Sequence, residues 1–144
     1  MGAARILGKL GIPTILVEKE DRLGGNPILN HYHTLIPRKL KPEQVLGPYI
    51  KEVESNPNVQ VKLKTELTAC EGEPGSYKVT LSNGETHEVG AIVVATGFEH
   101  FDPRRKGELG YGLYPDVITN WSLNKCSPGK EGFTDLPMDN CPRG

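Results

Sequence analysis

The sequence predicts an α/β fold with a parallel sheet and a small antiparallel β-meander. Two short apolar runs, at 15–17 and 91–97, have the continuous hydrophobicity of parallel strands that are buried on both faces. Between them, the chain from 59 to 89 changes to an alternating pattern, which is typical of strands with one exposed face. Helical periodicity ahead of the first run and ahead of the alternating stretch completes the α/β pattern.

The first predicted elements are a helix and a buried strand. Apolar side chains within residues 3–10 fall on one helical face: Ala3, Ala4, Ile6, Leu7 and Leu10. Gly11 then stands where a helix usually ends. The apolar run at 15–17 follows, and the strand that it predicts ends on an acid, Glu18.

The next elements are a loop and a second helix. Residues 24–41 have no clean period and are predicted to be loop. A helix is predicted from Pro42 to about Ser55, because apolar residues recur there at every fourth position. Pro48 opposes this prediction, since an interior proline costs a helix about 3 kcal/mol.

The alternating stretch predicts a strand followed by a meander. VQVKL, from Val59, alternates, and SYKVTL places Tyr77, Val79 and Leu81 on one face. EGEPGS and SNG separate these strands, and Asn-Gly suits a tight hairpin. We expect one partial domain at 1–120 and an irregular or disordered tail at 121–144, where no period is present.

Composition and charge exclude several function classes. The 144 residues carry a net charge of −1 with both signs mixed, which gives no indication of a nucleic acid partner. No apolar run approaches the ~18 residues of a transmembrane segment, and no signal peptide pattern opens the chain, so a cytoplasmic protein is expected. The three cysteines are far apart, so no metal site is predicted.

Three short motifs together predict a nucleotide cofactor. Glu18, at the end of a strand, can accept two hydrogen bonds from the hydroxyls of an adenosine ribose. Gly24 and Gly25 allow the backbone to pass close to a ligand, and the small residues at 95–97 offer a second bare turn after a strand. Each motif alone is more often structural, because a strand commonly ends on a solvated acid and a Gly-Gly pair commonly forms a turn.

Three segments closely resemble the FAD-binding domain of proteins like the A subunit of heterodisulfide reductase: GIPTILVEKEDRLGGN, VQVKLKTELTACEGEPGSYKVTL and AIVVATGFEHFDPRRKGELGYGLYPDVIT. The wider group is the two-dinucleotide-binding-domain flavoproteins. The resemblance covers roughly residues 3–120 and implies a Rossmann-like FAD/NAD(P)-binding three-layer fold. It implies an oxidoreductase electron-transfer subunit with FAD as cofactor. The implied partners are other subunits of an electron-transfer complex or a second copy of the chain.

The resemblance also implies which residues contact the cofactor. Glu18 takes the adenosine ribose and the backbone of Leu67 meets the adenine edge, with Lys19 near the adenosine end, although its charge alone is more typical of a solvated residue. The resemblance assigns the remaining positions to the flavin side of the cofactor. The loop beside its ribityl and pyrophosphate part contains Gly24, Gly25 and Asn26. A second cofactor-contacting turn contains Ala95, Thr96 and Gly97. No catalytic residue is assigned.

Two elements of the family pattern are missing. In the family a central strand and a glycine-rich phosphate loop precede the first helix, and the residues ahead of Gly11 contain neither. We therefore expect an N-terminally truncated domain that lacks its first strand, in which Met1 is an internal methionine. Such a chain should bind FAD poorly or not at all by itself.

Other interpretations stay open. The chain is alternatively a non-catalytic, partner-binding module derived from the same fold. An NAD(P) enzyme that uses Glu18 for the nicotinamide ribose is less favoured, because the meander and the 91–97 run resemble the flavin-binding half of such proteins. His31 and His33 are candidates for acids or bases near the flavin, although loop histidines are more often surface residues. No cysteine pair follows the Gly-Gly, so thiol–disulfide exchange is not expected.

Overall fold

The computed structural model describes residues 1–30, 32, 34–37, 39–120 and 122–123. The helices are α1 (Gly2–Lys9), α2 (Asn26–Leu29) and α3 (Pro42–Glu54), and two 3-10 turns follow at Pro103–Arg105 and Gly107–Leu109. The strands are β1 (Thr14–Val17), β2 (Val59–Lys62), β3 (Leu67–Glu73), β4 (Ser76–Leu81) and β5 (Thr86–Val89). β1 and β2 pair in parallel and β3-β4-β5 form an antiparallel sheet. The predicted α/β class, with parallel strands and a meander, is confirmed.

The chain divides into two compact units. The first comprises residues 1–24 and 46–96, and the second comprises residues 25–45 and the described residues from 97 onward. Both sheets and α1 belong to the first unit. The predicted tail at 121–144 lies outside the described residues except for 122–123.

Helix α1 forms where the period predicts it, but a different face is buried. The N–H of Gly11 donates to the carbonyl of Gly8 and the N–H of Ile12 donates to Leu7, so the helix ends in a Schellman motif as the glycine predicted. The expected apolar face is wrong in part, because Ile6 and Leu10 are 54% and 68% exposed. The physical reason is that small residues let the helix approach β2 closely on another side.

Small residues form the buried face of α1. Ala4 and Gly8 are buried, one turn apart on the helix. A Cβ added at Gly8 would lie 2.7 Å from atoms of both Asn56 and Val59, so the helix approaches the start of β2 too closely for a larger residue. The side of α1 that carries the larger residues Ile6 and Leu10 therefore stays in solvent.

A small apolar core joins α1 and the parallel strands to α3. Its buried members are Ala4, Leu23, Val53 and Val59, and partly buried neighbours pack against them: Met1, Leu16, Ile50 and Val61. Polar side chains also join α1 to α3. Lys9 Nζ lies 2.6 Å from the Glu52 carboxylate, and the Arg5 guanidinium lies 4.2 Å from the centre of the Tyr49 ring. The predicted helix at 42–55 is confirmed, with Pro48 inside it.

Neither outer edge of the parallel pair has a strand partner in the described chain. β1 and β2 pair from Thr14 opposite Val59 to Val17 opposite Lys62. No other described strand pairs with β1, and all of its residues are half-buried rather than buried. The free edge of β1 is where the expected first strand would pair.

The prediction of a buried strand at 91–97 is wrong. This segment joins no ladder within the described chain. Ile92, Val93 and Val94 are 38%, 64% and 78% exposed. A continuous apolar run becomes a buried parallel strand only when neighbouring strands and helices cover it, and no described element does so here.

The prediction of loop at 24–41 also needs correction. α2 occupies Asn26–Leu29, with Pro27 in its first turn, and Leu35 and Leu40 form an isolated antiparallel bridge. One turn of helix is too short to show a period of 3.6 residues, so the sequence pattern gave no signal for it.

The meander follows the predicted pattern. β3 and β4 pair from Leu67 opposite Leu81 to Glu73 opposite Ser76, with an irregularity after Leu67. Val79 and Leu81 are buried, which confirms the predicted inward face of β4. The N–H of Gly84 donates to the carbonyl of Leu81 and closes the predicted Asn-Gly turn.

A charged cluster connects β2 with the meander and gives a pH prediction. Lys62 Nζ lies 2.9 Å and His87 Nε2 lies 3.1 Å from the Glu85 carboxylate. The hydrogen bond from Lys62, and then that from His87, holds the pKa of Glu85 below its ordinary value of 4.5. Ionised Glu85 therefore contributes its full stabilisation when the pH is above the ordinary pKa. This contribution is lost as the pH falls through the lowered pKa.

We expect the free energy of unfolding of the wild type to exceed that of Glu85→Gln at pH 7 and to converge with it toward pH 3. Urea unfolding across this range measures the difference. Glu88→Gln is the matched control, because this exposed glutamate of β5 makes no ion pair among the described residues. A difference between wild type and Glu85→Gln that stays constant with pH would contradict the assignment.

Candidate functional site

Glu18 stands at the carboxyl end of β1, as predicted. Its N–H donates to the carbonyl of Lys62 at 2.9 Å and its carbonyl accepts from Thr65 at 3.0 Å, so the parallel ladder fixes its backbone. The side-chain Oε1 accepts a hydrogen bond of 3.2 Å from the N–H of Glu20. One carboxylate oxygen thus caps the turn after the strand. The carboxyl ends of parallel strands are where ligands bind in open α/β sheets.

Four other predicted residues of the first unit are more exposed than Glu18. Lys19 is exposed beside Glu18. Leu67 begins β3 and is 48% exposed, and the neighbouring Glu66 N–H donates to Ser82 Oγ at 3.0 Å. Ala95 and Thr96 lie in the exposed stretch that replaces the predicted strand. These positions leave backbone and side chains accessible to a ligand.

Two of the predicted glycines adopt backbone conformations that favour glycine. Gly25 and Gly97 have φ values of 61° and 73°. A Cβ added at either would meet no protein atom within 4 Å. The backbone rather than neighbouring protein atoms therefore requires glycine at each position, and the space beside each backbone is open. Gly24 also has positive φ, at 126°.

Asn26 makes contacts that the sequence did not reveal. Its Nδ2 donates to the carbonyl of Phe98 at 2.9 Å, and its Oδ1 lies 3.3 Å from Asn30 Nδ2. Asn30 Nδ2 lies 2.9 Å from His100 Nε2. Sequence reasoning missed Asn30 and His100, since these pairs are about 70 residues apart and belong to no periodic pattern. The only available signal was Asn30 four residues after Asn26, which places both on one side of a helix.

The predicted residues are divided between the two units. The first unit holds Glu18, Lys19, Gly24, Leu67, Ala95 and Thr96, and the second holds Gly25, Asn26 and Gly97. The candidate histidines His31 and His33 lie outside the described residues. Among the described residues, no group of three or more His, Cys, Asp or Glu is arranged to hold a metal ion. Cys70 is exposed, and no described helix is long and apolar enough to cross a membrane.

Comparison with known proteins gives relatives of one kind. No family model matches the chain. The A subunit of the ferredoxin/F(420)H(2)-dependent CoB-CoM heterodisulfide reductase of Methanosarcina acetivorans is 24% identical over 203 aligned positions, which cover 85% of this chain and 25% of the relative. The A subunit of the ferredoxin:CoB-CoM heterodisulfide reductase of Methanosarcina mazei is 46% identical over 57 positions, which cover 40% of this chain and 7% of the relative.

The chain is similar to the A subunits of heterodisulfide reductases. The first of two iron-sulfur A subunits of the CoB--CoM heterodisulfide reductase of Methanopyrus kandleri is also similar, with 45% identity over 56 positions that cover 36% of this chain and 8% of the relative. The resemblance stated from the sequence is therefore confirmed. The chain spans about a quarter of the length of the Methanosarcina acetivorans relative.

The alignment with the Methanosarcina acetivorans relative shows a difference in the interior of the matched region. It has 203 positions, whereas this chain has 144 residues. That relative therefore carries residues within the matched region that have no counterpart here. Fewer residues therefore separate the matching segments along the sequence of this chain than along that of the relative.

Proposed function

We propose that residues 1–120 form the FAD-binding part of an oxidoreductase subunit that passes electrons within a multi-subunit complex. The observation that carries the proposal is that β1 lies parallel to β2 and is followed directly by Glu18, with a Gly-Gly pair soon after it. An acid in that place accepts hydrogen bonds from ribose hydroxyls. The names of the relatives, which are subunits of heterodisulfide reductases, support electron transfer.

The chain's own residues would bind and orient the cofactor. Oε1 of Glu18 caps its turn, and Oε2, which makes no hydrogen bond with the described residues, is assigned to a ribose hydroxyl. Lys19 and the backbone of Leu67 are assigned to the adenosine. The flavin side is assigned to small residues with accessible backbones: Gly24, Gly25, Asn26, Ala95, Thr96 and Gly97. The open space beside Gly25 and Gly97 fits a ligand that approaches the backbone closely. FAD, when bound, supplies the electron-carrying ring.

The second part of the proposal is that this site is incomplete without a further strand and phosphate loop. β1 has a free edge within the described chain, and Ile92, Val93 and Val94 are exposed. Burying such side chains contributes about 1.5–3 kcal/mol each. A strand that pairs with the free edge of β1 and a glycine-rich loop would complete the site.

The missing phosphate contacts determine the expected affinity. Backbone N–H groups at a helix N-terminus bind pyrophosphate, and charge-assisted hydrogen bonds contribute about 1.5–3 kcal/mol each. Losing two or three of them weakens binding by several powers of ten, because about 1.4 kcal/mol is tenfold. The isolated polypeptide is therefore expected to bind FAD with a dissociation constant well above the micromolar range, which a flavin absorbance or fluorescence titration measures.

Two comparisons make this titration decisive. Adding an apolar strand and a glycine-rich loop of the family pattern ahead of Met1 is expected to give submicromolar affinity. In that fusion, Glu18→Gln should weaken FAD by about tenfold or more, through loss of charge-assisted hydrogen bonds, whereas Glu20→Gln, with the same change in charge, should not. A fusion that binds no FAD would contradict the flavin function, and submicromolar binding by the chain alone would contradict the incomplete site.

A non-catalytic module is the second candidate function, and the exposed segment at 92–94 favours it. An apolar surface of this kind is typical of a surface that a partner covers. The same fusion separates the two candidates, because a partner-binding module would remain without affinity for FAD when the strand and the phosphate loop are restored.

A further inference from the structure

A series of hydrogen-bonded polar side chains joins α2 to the segment that follows Gly97. Asn26, at the start of α2, donates from Nδ2 to the carbonyl of Phe98 at 2.9 Å. Asn30, at the end of α2, lies with Nδ2 3.3 Å from Asn26 Oδ1 and 2.9 Å from His100 Nε2. Asn30 is buried, at 9% exposure. A buried amide is costly to leave without hydrogen bonds, so these contacts are energetically important.

The Phe98 carbonyl sets the direction of these three hydrogen bonds. A carbonyl oxygen only accepts, so Asn26 must present Nδ2 to it and Oδ1 to Asn30. Asn30 must then present its own Nδ2, which carries two hydrogens, to both Asn26 Oδ1 and His100 Nε2. His100 Nε2 must accept, so His100 is the neutral tautomer with its proton on Nδ1.

The ring of His100 is also held by an aromatic neighbour. The centres of the Phe98 and His100 rings are 5.3 Å apart with an interplanar angle of 77°, which is an edge-to-face arrangement. Phe98 thus makes two contacts in this group of residues. Its carbonyl accepts from Asn26, and its ring packs against the ring of His100. Together these contacts fix the backbone directly after Gly97, whose φ of 73° turns the chain.

We propose that Asn30 and His100 are positioning residues that fix the turn after Gly97 against α2, through His100 in its Nδ1–H tautomer. The assignment of this turn to the flavin rests on the proposed function. Asn30 and His100 are themselves assigned no contact with the cofactor. They act through Asn26 and the Phe98 carbonyl, and they hold the small-residue turn in the conformation that leaves its backbone open.

The first test measures the tautomer directly. Nitrogen-15 chemical shifts and long-range couplings of His100 in the full chain at pH 7.5 to 8 are expected to show a protonated Nδ1 and an unprotonated Nε2. A dominant Nε2–H tautomer would overturn the proposal. This measurement uses no flavin, so its result is independent of whether the chain binds FAD.

The second test uses conservative rescue. His100→Leu removes the acceptor of Asn30 Nδ2 and is expected to speed exchange of the Asn30 side-chain amide by about fivefold, which corresponds to one neutral hydrogen bond. His100→Gln places an amide oxygen where Nε2 was and should restore the exchange rate to within about twofold. Unchanged exchange in His100→Leu, or the same increase in both variants, would overturn the proposal. Thr68→Val, whose hydroxyl bonds to Thr80 in the meander, is the control.

Discussion

Replacing Leu23 by alanine is expected to lower the free energy of unfolding by about 2–5 kcal/mol. Leu23 is 3% exposed and packs in the core with Ala4, Val53 and Val59. Truncation removes the buried methyl groups and leaves a cavity that a core of this size cannot refill. Because Leu23 directly precedes the Gly-Gly pair, the loss should also loosen the loop that is assigned to the cofactor.

Urea unfolding followed by circular dichroism measures this effect. Leu10→Ala is the matched control, because Leu10 is 68% exposed and its truncation should change stability by less than about 0.5 kcal/mol. Leu23→Met keeps the volume and should cost less than about 1.5 kcal/mol, so it provides a folded variant. Equal losses in Leu10→Ala and Leu23→Ala would show that the apolar core is placed wrongly.

The second large effect is expected for Gly72→Ala in the meander. Gly72 lies in β3 opposite Tyr77 with a φ of 99°. A Cβ at this position would clash with the backbone carbonyl of Ser76, and backbone cannot move aside as a flexible side chain does. We expect a strain cost of about 1–3 kcal/mol and a further cost of about 1–3 kcal/mol from overpacking.

Gly75→Ala separates the two contributions to this loss. Gly75 has nearly the same φ, 98°, but a Cβ there would meet no atom within 4 Å. It should therefore show the strain cost alone in the same urea unfolding experiment. If Gly75→Ala lost as much stability as Gly72→Ala, the close approach of β3 and the Ser76 carbonyl would be contradicted.

Local periodicity predicted most of the fold. It placed α1, α3, β1 and the meander because each has enough residues to show its period. It misplaced the buried face of α1, since Gly8 gives no apolar signal and is buried through its lack of a side chain. It also misassigned the apolar run at 91–97, because periodicity reports that a segment is apolar and not whether a neighbour covers it.

The candidate site was predictable only in part. The position of Glu18 follows from the strand that precedes it, and the positive φ of Gly25 follows from its residue type. The hydrogen bonds that join Asn26 and Asn30 to Phe98 and His100 do not, because they depend on tertiary folding between distant segments. The assignment of cofactor roles to residues on both units stays a prediction.

The apolar segment at 91–94 has a consequence for how cells must produce this polypeptide. A hydrophobic segment whose N–H and C=O groups lack ladder partners within the described chain is a template for aggregation with further copies. Only occupation of that segment removes the hazard. The yield of folded protein would therefore depend on producing the binding partner of this segment at the same time and in the same amount. A chaperone that binds the segment before the partner arrives would have the same effect.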